Sequence, residues 1–171
     1  MSINTVSQVT ADVLRRAAGQ FATGITVVSV HDAEFVRGMT ANSFTSVSLE
    51  PPLVLVSVDG QRSAHSALLK ADRFVISVLA ASQQAVSARF ASSKTDMRHA
   101  YDDIPHRLTE DGLPLIDGAL AHFVCRRYAN YPGGDHTLFL GLVEDVEVIG
   151  GDPLLYVAGA YRTLEQTVRS K

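Results

Sequence analysis

Cysteine is nearly absent: Cys125 is the only one in 171 residues. That excludes an internal disulfide framework and fits a reducing compartment. Basic charge is also short, with 15 Lys and Arg against 18 Asp and Glu, for a formal charge of -3. Nucleic-acid binding domains usually carry a basic surplus or a local Lys/Arg cluster, and neither is present. No apolar stretch approaches the roughly 20 residues that cross a bilayer. No basic segment followed by an apolar run opens the chain as a secretory signal would. The expectation is a cytoplasmic protein with no nucleic-acid or membrane partner. Several chemistries lack their motifs as well. Without a Gly-x-Gly-x-x-Gly run between a strand and a helix, a Rossmann dinucleotide site is not expected. No Gly-x-Ser-x-Gly elbow supports hydrolase chemistry. His65, His99, His106 and His122 do not have metal-ligand spacing and no cysteine pair accompanies them, so no metal site is expected.

What is present is an ordinary globular composition, 46% hydrophobic and 19% charged. Length predicts one domain, taken here as residues 10–165, with 1–9 and 166–171 as flexible termini. Thr10 reads as the cap of a helix whose Val13, Leu14, Ala17, Ala18 and Phe21 pack inward, with Gly24 as its stop. Ile25 to Val30, Leu53 to Val58 and Phe74 to Leu79 read as buried strands. Ser63 is expected to cap a helix over 64–71, and Ser82 one over 83–90. Residues 92–112 lack periodicity and read as a long functional loop. Leu120 to Tyr131 and His136 to Ile149 form two long strands joined at Pro132-Gly133-Gly134-Asp135, which has hairpin chemistry. Leu154 to Val157 is a last short strand. Strands joined by hairpins, with few short helices, favour an antiparallel barrel with peripheral helices.

The stretch from Arg37 to Pro52 departs from ordinary strand patterning. Thr40, Asn42, Ser43, Thr45, Ser46 and Ser48 alternate with Met39, Phe44, Val47 and Leu49, so the polar partners are short and uncharged. Such groups suit a flat polar ring bound along a backbone, and they equally suit an edge strand facing water. Gly38 admits close approach, and Pro51-Pro52 ends the run sharply. A second signal is Gly134-Asp135-His136-Thr137, where glycines permit a tight turn that presents His136 at a strand start.

The run Gly-Met-Thr-Ala-Asn-Ser-Phe-Thr-Ser-Val-Ser-Leu-Glu-Pro-Pro-Leu resembles the signature of the short-chain flavin reductases. The resemblance extends from about Asp12 to Leu164. It implies a mainly β fold, an antiparallel Greek-key split β-barrel with peripheral short helices, as a homodimer with flavin near the subunit boundary. It implies hydride transfer from NADH, or NADPH, to FMN or FAD, with reduced flavin passing to a partner monooxygenase. The flavin-binding residues it implies are Met39, Thr40, Ala41, Asn42, Ser43, Thr45, Ser46 and Ser57, with Thr40, Asn42 and Ser43 as donors to the ring edge. Arg62 and Ser63 fall at the phosphate end, where a helix start favours an anion. Arg89 and Phe90 lie towards the phosphate or adenine, while Phe90 reads equally as the last core residue of its helix. Asp135 and His136 are implied at the nicotinamide, His136 as the catalytic contact, and Tyr161 sits in a C-terminal Gly-x-Tyr-x-x-Leu segment on that side. Three other readings remain open: a split-barrel flavoprotein that keeps its flavin, like the pyridoxamine phosphate oxidases, a non-catalytic flavin-binding redox carrier, and a barrel that binds an unrelated ligand.

Overall fold

The computed structural model of the protein describes residues 9–164. The expectation for the termini at 1–8 and 166–171 lies outside the described residues. In chain order the elements are α1 (Ala11–Ala18), β1 (Thr23–Gly24), β2 (Thr26–His31), β3 (Val36–Ala41), β4 (Thr45–Leu49) and β5 (Pro52–Asp59). Next come α2 (Ser63–Lys70), β6 (Arg73–Val78), α3 (Gln84–Ala91), β7 (His106–Leu108) and β8 (Pro114–Ile116). The chain continues through β9 (Ala121–Gly133), β10 (His136–Val148), β11 (Leu155–Val157) and β12 (Ala160–Arg162).

Seven strands make one antiparallel sheet in the order β3-β2-β6-β9-β10-β5-β4. Strands β3 and β4 occupy its opposite edges, yet only Asn42, Ser43 and Phe44 separate them in the chain. Six strand spacings span roughly 29 Å across a flat sheet. Four residue steps reach at most roughly 14 Å. The sheet must therefore curl until its edges meet, and the result is a split β-barrel with its helices outside.

Strand β2 is buried on both faces. Val28 and Val30 join Val54, Val56, Phe74, Ile76 and Phe139 in one cluster, closed by Ala64, Ala67 and Leu68 of α2. Ile25 and Val27 join Leu79, Phe90, Tyr101 and Ile104 in a second. Burial on two faces explains why this stretch is continuously apolar instead of alternating. Cys125 is fully buried in the first cluster, where burial pushes its thiol up to about 12. Such a thiol is core filler and not a nucleophile.

Four sequence expectations change. The polar run is not one strand: the chain breaks at Asn42–Phe44 because it crosses from one sheet edge to the other. The helix α1 does have Thr10 as its cap, accepting from the Val13 N–H at 3.3 Å. It ends at Ala18, however, and its apolar face is not packed inward; Val13, Leu14 and Phe21 are exposed and Gly24 lies in β1. Periodicity identifies an apolar face but not what covers it. Arg62 rather than Ser63 holds the cap position of α2, and it makes no side-chain capping bond. A 3₁₀ turn at Ala81–Gln83 precedes α3, so Ser82 is not its cap. Gln83 organises that corner, its side chain accepting from the Ala80 N–H at 2.9 Å and donating to the Asp117 carbonyl at 2.8 Å.

The segment after α3 is tied to the rest of the barrel at two points. Arg89 forms a two-pronged ion pair with Asp103, and the buried Tyr101 shares a hydrogen bond of 2.7 Å with Ser29. No helix among the described residues is long and apolar enough to cross a membrane.

Candidate functional site

The barrel's split is where a groove forms. Strand β4 covers β5 only as far as the pair Thr45–Leu55. Past that point the Ser57 N–H donates to Ser43 Oγ at 3.0 Å, and the Ser43 hydroxyl donates to the Ser57 carbonyl at 2.8 Å. One side chain thus stands in for a strand pair and laces the two edges together. Next to the lace lies a groove of about 230 Å³. Met39, Thr40, Ala41, Asn42 and Ser43 form one wall, Ser57, Val58 and Asp59 another, and Arg62 and His136 complete the lining.

Its hydroxyls are less available than the sequence suggests. The Thr40 hydroxyl donates to the Ser87 carbonyl at 2.6 Å, and the Ser43 hydroxyl to Ser57. Neither has a proton left for a ring, whereas the exposed Asn42 amide and the Ser57 hydroxyl have no side-chain hydrogen bond among the described residues. The backbone of β3 adds to this. As a sheet-edge strand it has one side without a ladder partner.

His136 reaches the groove through a two-residue turn. Gly133 pairs with His136, and Gly134 takes φ +73°, which favours glycine. The Gly60 N–H donates to the Asp135 carbonyl at 3.0 Å, tying this turn to the one that carries Arg62. Asp135 Oδ1 lies 2.7 Å from His136 Nδ1. An ionised carboxylate only accepts, so Nδ1 carries a proton, and in the tautomer with that single proton Nε2 is an acceptor. The same bond holds the Asp135 carboxyl below its usual range.

A second cavity, about 360 Å³, adjoins the groove, and Met39 and Arg62 line both. Ser63 and Phe90 line it too, together with Phe35, Arg37 and Arg98. Arg62 gives one N–H to the Ala91 carbonyl at 3.1 Å and has no carboxylate at ion-pair distance among the described residues. Arg89 differs: it is held by Asp103 and by the Ala100 carbonyl, and it lines neither cavity. Thr45 and Ser46 are exposed on β4, outside both. Tyr161 also lines neither; its hydroxyl meets Ser87 Oγ at 2.9 Å and its ring packs on Tyr156. Asp135 lines neither cavity and meets the groove only through its contact with His136. Among the described residues no group of three His, Cys, Asp or Glu is placed to hold a metal.

Sequence reasoning missed Val58 and Asp59, although Asp59-Gly60 reads as a turn and closes a core strand beside the motif. It also missed Phe35, Arg37 and Arg98 as cavity walls, for which no local signal exists.

The Flavin reductase like domain matches residues 18–165. The FMN reductase (NADH) SmoA of Agrobacterium fabrum is 46% identical over 147 residues, covering 86% of this chain and 82% of that protein. The reductase component of 4-hydroxyphenylacetate 3-monooxygenase from Thermus thermophilus is 39% identical over 158 residues, covering 90% and 96%. Among solved structures, the NADH:FAD oxidoreductase SgcE6 of Streptomyces globisporus, in complex with NAD and FAD fragments, superposes with a TM-score of 0.85 at 42% identity, covering 92% of this chain and 94% of that one.

Proposed function

We propose, from the premise that this chain belongs to the flavin reductase like domain family, that it is an NADH-dependent flavin reductase. It moves a hydride from NADH to FMN or FAD and delivers reduced flavin to a separate monooxygenase. The names of its relatives support both the donor and the partner. The observation that carries the reading is the meeting, in one groove, of the Asn42–Ser43 crossing with the Asp135–His136 turn.

The residues present fit a flavin. The wall along β3 is mostly uncharged, which suits a flat ring, and Asn42 offers a donor and an acceptor together. Arg62, with no carboxylate of its own, suits a phosphate. Bound flavin supplies the redox chemistry, accepting a hydride at its ring from reduced nicotinamide. The chain's own part is placement. Asp135 fixes the orientation of the His136 ring, and His136 Nε2 would accept an N–H from a nicotinamide carboxamide bound in the groove. That holds one ring against the other without any side chain exchanging a proton.

Steady-state NADH oxidation with FMN, FAD and riboflavin, followed at the nicotinamide absorbance band, tests this reading. Flavin-dependent turnover is expected, and its absence with all three acceptors would sink it. His136→Ala should raise the KM for NADH by about tenfold, the loss of one good hydrogen bond.

The chain is also inferred to act as a homodimer in the cytoplasm. Leu49, Val148 and Phe21 are 89%, 80% and 77% exposed, apolar surface available to a second copy of the chain. Light scattering giving the mass of one chain would remove the dimer.

A further inference from the structure

His65 lines neither cavity, yet it touches both of the segments that bring Arg62 and His136 into the groove. Its backbone N–H donates to the Arg62 carbonyl at 3.0 Å. Its Nε2 shares a hydrogen bond of 2.9 Å with Thr137 Oγ1. The imidazole also meets the buried Phe139 ring in an edge-to-face contact, with 5.7 Å between centroids, which fixes the plane from which that bond is made.

Strand alternation makes Thr137 an effective handle on its neighbour. Successive side chains of β10 point to opposite faces, so His136 is turned to the groove while Thr137 and Phe139 are turned to α2. A planar peptide joins the two residues, and a shift of Thr137 carries His136 with it. Other ties hold the same turn against the end of β5: the pair His136–Asp59, and the Gly60 N–H donating to the Asp135 carbonyl at 3.0 Å. The His65 bond instead refers β10 to α2, the helix whose cap position Arg62 holds.

We propose that His65 is a positioning residue: it sets the span between Arg62, at the phosphate end of a bound flavin, and His136, at the nicotinamide, so that the two rings meet. The proposal rests on the reductase reading of the groove and adds a residue that touches neither ligand. Hydride transfer asks placement of this chain and little else, and small displacements weigh heavily on it.

Steady-state kinetics with FMN as acceptor test the span. His65→Ala and Thr137→Val each break the bond, and each should raise the KM for NADH about threefold to tenfold. The ceiling is the rise expected of His136→Ala, because His65 acts through that ring. His65→Gln, whose amide nitrogen reaches the place of Nε2, should return the KM to within about twofold of wild type. The decisive comparison adds His65→Ala to His136→Ala, where no further rise is expected. Calorimetric FMN affinity without NADH should stay within about twofold in both single variants, since Arg62 keeps its bond to the Ala91 carbonyl. A second readout needs no ligand. The His136 ring-proton resonances of the free protein, assigned by their loss in His136→Ala, should move in Thr137→Val. That variant keeps the volume of the side chain, so it stays informative if His65→Ala fails to fold. An unchanged KM in Thr137→Val, unmoved resonances, or a further rise in the double variant each overturns the proposal. A wild type without flavin-dependent NADH oxidation sinks the reductase reading and this one with it. An active wild type with indifferent variants sinks this one alone.

Discussion

The inner groove and the outer cavity adjoin at Arg62 but are held together by different forces. The groove is built from strand ends, and its short side chains are bonded into the backbone frame: Thr40 to Ser87, Ser43 to Ser57. The cavity is built from the β2–β3 turn, the β5–α2 turn and the segment after α3. There the fixing contacts are ion pairs, and Arg98–Glu34 is 60% and 67% exposed. Exposed pairs contribute about 0–1 kcal/mol and weaken with salt. One region is a frame and the other is adjustable, so mutations in the two should separate stability from ligand choice.

The sharpest separation sets Arg62 against Arg89. Arg62 lacks a carboxylate partner, and Arg89 is already paired with Asp103. Arg62→Ala should cost FMN about 1.5–3 kcal/mol of binding, roughly a 10- to 150-fold rise in Kd, because a charge-assisted phosphate contact is lost. Riboflavin, without the phosphate, should bind as before. Arg89→Ala should do the reverse, leaving FMN affinity nearly unchanged and lowering Tm by about 2–4 °C as the segment after α3 loses its anchor. Equal losses of FMN affinity in both variants would erase the contrast.

Next in size is Gly38, where β3 passes beneath Phe90. A Cβ there would lie 2.3 Å from Phe90 Cε1 and 2.6 Å from the Tyr101 hydroxyl oxygen. Both neighbours are buried, so Gly38→Ala should destabilise by about 1–3 kcal/mol through overpacking. Gly60→Ala is the control. Its Cβ would meet the Asp135 carbonyl at an ordinary 3.5 Å, and the effect should stay under about 0.5 kcal/mol. Urea midpoints compare the two directly, and equal shifts would show that β3 can move away from Phe90.

These positions also show what the sequence makes legible. Gly38 reads as a close-approach glycine, correctly, but the thing approached is a core phenyl ring and not a ligand. The polar run and the Gly-Asp-His turn are each contiguous, so the groove could be named before any contact was known. Which hydroxyls remain free could not, because Thr40 finds Ser87 and Ser43 finds Ser57 only after the sheet curls. Arg62 and Arg89 look alike in sequence, both beside helix termini, and only the position of Asp103 tells them apart. The cavity walls at Phe35 and Arg98 come together through tertiary packing and leave no local trace. The long strands β9 and β10 were legible because apolar runs and glycine turns are local, whereas the break at Asn42 is imposed by sheet order.

A smaller effect is expected at the lace itself. Ser43→Ala removes two hydrogen bonds at Ser57. The site is half-buried and water can replace part of the loss, so about 1 kcal/mol of stability should go. If the lace sets the groove's width, both flavins should weaken together by a few-fold, with their ratio unaltered. A change in that ratio would mean that frame and cavity are not independent.

The smallest expected effect tests the frame far from either cavity. His122 is 1% exposed on β9, with Nδ1 3.1 Å from Ser77 Oγ and no partner for Nε2 among the described residues. Burial pulls its pKa below the ordinary 6.5; Arg107 pulls the same way, while Glu147 and Asp117 oppose it. The unfolded chain therefore takes up a proton at a pH where the folded chain does not. Stability is complete well above pH 6.5, falls as pH drops through that value, and stops falling below the folded pKa. At pH 6 the loss from this one imidazole is at most about 0.8 kcal/mol. Urea midpoints taken from pH 8 to pH 5 should show the decline in wild type and a shallower one in His122→Phe. Because neither cavity contains His122, His122→Phe should leave the FAD and FMN affinities at pH 8 as they are in wild type. A shift in either would mean that the cavity draws its shape from the barrel core, and the division between frame and adjustable wall would be wrong.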